Sequence, residues 1–317
     1  MFEKVIVGVD GRPTGRDAIA LAARLLTAGG GLTLVHVRPG ELRPVHAVTP
    51  GLLAVEREAS HELLERERDA ADLDPALQTE LLSLVGISPG RALHDLAEER
   101  SADLLVVGSC GHGLFGRAVL GDTTRAALNG APCAVAVAAR GYADHPLPLG
   151  RIGVGYDGSG ESEVALAAAR ELAGRLRATV SALQVVSIQT FAFTGIAPPI
   201  LGESIELMVK EANARMAELE GVEGRAVYGL PGEELAAFGD QVDLLVVGSR
   251  GYGPLRRLVL GSTSDYLERH ARSSLLVLPR TAARGSVLVC SLGAAPRLAS
   301  GDGGDAVDIR GRAQGDQ

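Results

Sequence analysis

Short apolar runs alternate with longer stretches in which apolar residues recur every three or four positions, and this rhythm continues from residue 5 to residue 278. VIVGVD (5–10) is a continuous apolar run ending in Asp, the pattern of a strand buried on both faces. DAIALAARLLTAG follows with helical spacing and is stopped by Gly29, Gly30 and Gly31. LTLVHV (32–37) reads as a second strand, a charged helix is expected around 52–72, and TELLSLV (79–85) reads as a third strand. Pro89 opens a short helix, after which DLLVVGS, a glycine-rich turn, a helix near 121–129 and CAVAVA (133–138) complete the half.

The second half repeats this order. RIGVGYD (151–157), the helix ESEVALAAARELAGRL, TVSALQVV (179–186), a long helix near 202–220, a strand at 224–229, a short helix from Pro231, DLLVVGS and LLVL (275–278) follow in turn. The repeat is literal in one block: LLVVGSCGHGLFGRAVLGDTT (104–124) and LLVVGSRGYGPLRRLVLGSTS (244–264) share thirteen of twenty-one positions. Strands alternating with helices require right-handed crossovers and a parallel sheet. The expected fold is therefore α/β, with two tandem doubly wound domains at 1–140 and 150–280, each with a mainly parallel five-stranded sheet. GYADHPLPLG is the linker, and residues 281–317 read as a flexible C-terminal tail in which SVLVC (286–290) is the one candidate for an added edge strand.

Composition narrows the partners. Aromatics are only 3% of the chain and Trp is absent, so the cores are built from Val, Leu, Ile and Ala. A net charge of −8 without a basic stripe points away from nucleic acid. Cys110, Cys133 and Cys290 show no CxxC spacing, which fits a reducing compartment. The chain runs straight into a strand with no leader, and no apolar run approaches the roughly 18 residues of a membrane span. A cytoplasmic protein that avoids the membrane is expected.

The chemistry concentrates in two loops per half. In an open α/β sheet ligands bind beyond the carboxyl ends of the strands. One loop there carries Asp10 or Asp157; the other carries Gly108, Ser109 and Gly111, or Gly248, Ser249 and Gly251. Ten residues after the second Gly stands Gly121 or Gly261, at the expected start of a helix whose exposed N–H groups favour phosphate. Ser262, Thr263 and Ser264 add hydroxyl donors in the second copy, as Thr123 and Thr124 do in the first. Glycine-rich turns also serve merely to connect strand to helix, but both glycine groups recur here at identical spacing in two diverged copies.

G-x-x-G, nine residues, then G-[S/T] is met in full by Gly248-Ser249-Arg250-Gly251 and Gly261-Ser262. In this strand order the chain resembles a tandem member of the universal stress protein family, whose fold is the Rossmann-like adenine nucleotide alpha hydrolase type. The resemblance implies ATP binding, with Mg²⁺ held through the phosphates. It implies that Asp157 lies by the ribose and adenine, that Val185 offers backbone to the adenine edge, that Gly248 and Gly251 line the ribose and phosphate path, and that Gly261, Ser262 and Ser264 hold the phosphates. The matching positions of the first copy are Asp10, Val37, Gly108, Gly111, Gly121 and Thr124. It further implies pairing of the halves through CAVAVA and LLVL, and homodimerisation.

The first copy departs from this pattern at Asp122 and at Cys110, which stand opposite Ser262 and Arg250. A carboxylate about 4 Å from a phosphate charge costs roughly 4 kcal/mol at an effective dielectric of about 20. The second domain is thus the expected better site. GHGLFG matches a dinucleotide fingerprint in form but follows the fourth strand, and the chain has neither a Walker A lysine nor a GxSxG elbow. No histidine pair has metal-ligand spacing. His112 is open to two readings, a ligand contact or an exposed loop residue; Cys110 is either a redox-sensitive thiol or a neutral replacement. The charged stretch 56–69 reads as a solvated helix face. Three functions stay open: a regulatory ATP-binding stress protein acting on an unknown protein partner, a slow ATPase or nucleotidyl-transferring enzyme, and a nucleotide-free scaffold.

Overall fold

The computed structural model describes residues 1–40, 50–109, 122–144, 148–187, 201–249, 258 and 261–279. The first half runs β1 (Phe2–Gly8), α1 (Pro13–Leu25), β2 (Leu26–Pro39), α2 (Pro50–Ala70), β3 (Gln78–Gly86), α3 (Pro89–Glu99), β4 (Leu104–Gly108), α4 (Asp122–Leu128) and β5 (Ala134–Ala138). The second runs β6 (Arg151–Gly155), α5 (Gly160–Leu176), β7 (Thr179–Val186), α6 (Leu201–Ala217), β8 (Glu223–Tyr228), α7 (Pro231–Gly239), β9 (Leu244–Gly248), α8 (Ser262–His270) and β10 (Ser274–Leu278). Cys110, Gly111, His112, Gly121, Arg250, Gly251, Cys290 and the tail lie outside the described residues.

The ten described strands form one sheet, in the order β3-β2-β1-β4-β5-β10-β9-β6-β7-β8. Its strand pairs are parallel except at the centre, where β5 and β10 run antiparallel with Val137 opposite Leu275, Ala136 opposite Leu276 and Val135 opposite Val277. The two apolar runs expected to join the halves thus form that seam. Alternation along each central strand sends side chains to both faces. Val5, Val7, Leu104, Val106, Leu244 and Val246 enter the layer under α1 and α5, whereas Ile6, Leu105, Val107, Leu245 and Val247 enter the opposite one. Across the seam the first layer sets small Ala134, Ala136 and Ala138 beside Leu276 and Leu278. Both faces are buried, which is why these strands read as unbroken apolar runs.

The repeated Asp before each LLVVG run locks its strand to its neighbour. Asp103 Oδ2 accepts from the backbone N–H of Glu3 and Lys4 at 3.0 Å each. Asp243 Oδ2 accepts from Gly150 and Arg151 at 2.9 and 2.8 Å. These amides sit at the strand starts, where the sheet ladder cannot reach them.

Two further ties are made by side chains of α5 and α1. The Arg175 guanidinium on α5 crosses to the first half and donates to the carbonyls closing α1, at 2.8 Å to Leu25 and 3.3 Å to Arg24, and to Leu26 as well. A cation there satisfies terminal carbonyls and complements the helix dipole. Buried Asp17 accepts from Gly141 and Ala143 at 2.9 and 2.8 Å, which pins the start of the linker to α1.

Two local expectations are corrected. α1 ends at Leu25 and does not run to the glycines; extended chain begins at Leu26, with β2 irregular where Phe2 faces Leu26 but Lys4 faces Gly31. Gly29, at φ +82°, carries that bulge. The charged face of α2 is not wholly solvated: Glu67 is fully buried, with Arg16 Nε 2.8 Å from one oxygen and Arg66 Nε 3.6 Å from the other. Glu67 in turn raises the Arg16 pKa, through its hydrogen bond first and its charge second. Among the described residues no helix is long and apolar enough to cross a membrane.

Asp243→Ala removes the acceptor of the Arg151 N–H and one of the two acceptors of the Gly150 N–H, which keeps Pro148 O at 2.8 Å, and is expected to cost about 1–3 kcal/mol in urea unfolding. Arg175→Ala, at an exposed position, is expected to cost about 1 kcal/mol or less. Unchanged unfolding midpoints in both variants would remove the roles given to these side chains.

Candidate functional site

Within each half the strand order reverses at the first strand: β1 lies between β2 and β4, and β6 between β7 and β9. A crevice opens at such a switch point beyond the carboxyl ends. In the second half it has a volume of about 760 Å³, inside the roughly 300–1,000 Å³ of small-molecule pockets.

Asp157, Val185, Gly248, Ser249, Gly261, Thr263 and Ser264, singled out from the sequence, all line this crevice. Ser262 opens α8 beside them and is exposed. The Asp157 Oδ1 accepts from the Ser159 N–H at 3.0 Å and from its hydroxyl, closing a turn at the end of β6. Ser159 in turn caps α5 by accepting from Ser162 N–H at 3.2 Å.

Val185 owes its position to ladder lengths. The β6–β7 ladder ends at Gly155 opposite Leu183, with Tyr156 N–H donating to Leu183 O at 3.0 Å, whereas β7–β8 continues to Val186 opposite Tyr228. In a strand, residues two apart point their backbone groups the same way. The N–H and C=O of Val185 therefore face the side where β6 has ended, which is the crevice.

Gly248 answers first to packing. A Cβ there would lie 2.6 Å from the Glu161 carbonyl oxygen, as one on Gly108 would lie 2.2 Å from that of Thr14. The first turn of α5 or α1 rests directly on the strand end, so this glycine is needed whatever the crevice holds.

At α8 the cap residue is Gly261, which has no side chain to satisfy the helix. The first-turn N–H groups of Ser262, Thr263 and Ser264 precede the first intrahelical bond, Asp265 N–H to Gly261 O at 3.0 Å. With buried Ser264 beside them, these donors suit an oxyanion such as phosphate. The acid in that turn, Asp265, is paired with Arg269 of its own helix and lies 3.7 Å from Arg125 of α4.

Several lining residues were missed from the sequence. Met208, Glu211 and Arg215 on α6 face the crevice at i, i+3 and i+7, a helical-face spacing that was legible. Gln184 and Tyr156 also line it. The Tyr156 phenol donates to Glu163, and this bond leads the causes that push its pKa up to about 12.

The first half has the same strand ends and different chemistry. Asp10 Oδ1 accepts from Arg12 N–H at 3.0 Å, which reproduces the Asp157 turn. Val37 lies on β2 opposite Leu84. The Thr124 hydroxyl donates to Gly108 O at 2.9 Å, so its proton is committed inside the fold. Ser109 N–H donates to Ala138 O, while its hydroxyl is buried without a partner among the described residues. His36 stands where the second half has Gln184, with Nδ1 2.7 Å from Ser60 Oγ; burial lowers its pKa against the opposing pull of Asp10. Of the glycine block, α4 begins at Asp122, and the side chains of Asp122 and Thr123 lie outside the described residues.

Known proteins share this fold. The universal stress protein Rv2623 of Mycobacterium tuberculosis (strain ATCC 25618 / H37Rv) is 28% identical over 284 residues, covering 86% of this chain and 95% of its own. A universal stress protein of Mycolicibacterium smegmatis (strain ATCC 700084 / mc(2)155) is 29% identical over 300 residues, covering 86% and 96%. The crystal structure of a universal stress protein from Archaeoglobus fulgidus DSM 4304 shares the fold with a TM-score of 0.59 at 16% identity, over 87% of this chain and 96% of that one. The sequence model of the universal stress protein family matches residues 1–139 and again 148–279, and the chain belongs to that family as a tandem, two-repeat member.

Proposed function

We propose that the second-half crevice binds ATP and that the chain serves a regulatory role in stress response through nucleotide-dependent interactions with a protein partner. One observation carries this reading: an open strand edge at Val185, the Asp157 turn and an α8 N-terminus without a side-chain cap converge on one crevice of about 760 Å³. Adenine meets the backbone of Val185, the ribose lies by Asp157, and the phosphates reach the N–H groups and hydroxyls of Ser262, Thr263 and Ser264. Arg250 and Gly251 belong to the same site by their place in the motif. Mg²⁺ enters with the phosphates, which neutralises charge beside Asp157, Glu161 and Glu211.

The first half is proposed as the weaker or specialised site. Its Thr124 hydroxyl is committed to Gly108, and its helix opens with Asp122 where the second copy has Ser262. A carboxylate beside a phosphate cradle repels the ligand, and screening by salt reduces the effect to about tenfold in affinity.

Calorimetric titration of ATP with Mg²⁺ checks both statements. Wild type is expected to bind at one dominant site, Ser262→Asp to bind about tenfold more weakly, and Asp122→Ser to strengthen or add a second site. Wild-type affinity in both variants would contradict the assignment. ADP accumulating with turnover would favour an enzyme on the same fold, and no heat with any variant would favour a scaffold.

A further inference from the structure

The cradle at the start of α8 is not held by the second half alone. Ser249 N–H is fixed within its own half, donating to Leu278 O at 2.9 Å. Nine residues farther along the chain, Leu258 is bonded to the first half. Its N–H donates to Ala131 O at 3.0 Å and its carbonyl accepts from Gly130 N–H at 2.8 Å, so both of its backbone groups are clasped across the seam. Its side chain is fully buried in the apolar layer that also takes in Ala127, Leu128 and Ala131. Three residues later Gly261 opens α8 and lines the crevice.

A second contact holds the other side of the same turn. Asp265, in the first turn of α8, lies 3.7 Å from Arg125 Nε on α4. The clasp and the ion pair arise from one short stretch of the first half, residues 125–131, just before the seam strand β5. Gly130 sits at φ +95°, a backbone region costly for any residue with a Cβ, and this conformation presents its N–H to Leu258.

From these contacts we infer that Arg125, Gly130 and Ala131 of the first half are positioning residues for the second-half crevice, and that ligand binding there is coupled to the order of this first-half segment. The inference rests on the nucleotide reading above for its ligand but not for its geometry. A loop pinned at Leu258 presents the α8 N–H groups as a preformed cradle. A loop freed at Leu258 must be ordered by the ligand itself, which lowers affinity. Coupling of this kind is reciprocal, so a ligand in the second crevice also stabilises the clasp on Gly130.

The test uses the full chain with Leu258→Ala, which empties the buried anchor, and Arg125→Ala, which removes an exposed side chain from its pair with half-buried Asp265 and carries little risk to folding. Without ligand, hydrogen exchange of the amides of Gly130 and of Ser262–Ser264 is expected to quicken in Leu258→Ala. With ATP and Mg²⁺, affinity is expected to fall about tenfold in Leu258→Ala and about two- to threefold in Arg125→Ala. In wild type the ligand is expected to slow exchange at Gly130. If wild type binds no ATP, the nucleotide reading fails while the exchange comparison still decides the positioning role. If wild type binds ATP and the variants match it in affinity and in exchange at Ser262–Ser264, the positioning role is overturned. Should Leu258→Ala fail to fold, Arg125→Ala decides by the same two readouts.

Discussion

The antiparallel pairing of β5 with β10 is the contact on which the rest of the molecule depends. Each half alone would end in an open edge of apolar residues, Ala134–Ala138 or Ser274–Leu278. Such an edge exposes unpaired backbone groups and invites uncontrolled association. Joining the two edges merges two five-stranded sheets into one of ten strands and lets both apolar layers run through the seam. The outermost strands are then β3 and β8, whose side chains, Ala226 apart, are half-buried or exposed.

Pairing by an approximate two-fold axis would leave two equal sites, but a single chain can make its halves unequal. Arg175 caps α1 from the second half, and Asp17 holds the linker in the first. The fixed point at Leu258 ties the second-half loop to residues 130 and 131 of the first. At the clefts, His36 with Ser60 replaces Gln184, and Thr124 turns its proton to Gly108. Repeats that share a fold in this way are free to divide binding and support between them.

Much of this was legible in the sequence because it rests on local periodicity. Continuous apolar runs marked the strands, since both faces of the sheet are covered, and the repeated DLLVVG block located the switch-point crevices. Asp157, Gly248 and Gly261 line one crevice as their spacing suggested, together with Val185, which only the family resemblance had implied. What escaped depends on partners distant in sequence. Glu67 looked like one more solvent charge until Arg16 met it, 51 positions away. The helix-closing role of Arg175 needs carbonyls about 150 positions away. Gly248 read as a ligand glycine, yet the carbonyl of Glu161 already requires it. The α1 boundary failed because three consecutive glycines mark a bulge as readily as a helix stop.

The central claim is that the second-half crevice, completed by the first half, is the nucleotide site. The most direct measurement is a crystal structure of the full chain grown with ATP and Mg²⁺. The account predicts adenine against the backbone of Val185, phosphate oxygens on the N–H groups of Ser262–Ser264, and Leu258 still bonded to Gly130 and Ala131. Nucleotide found only in the first-half crevice, or phosphates bound away from the start of α8, would contradict it.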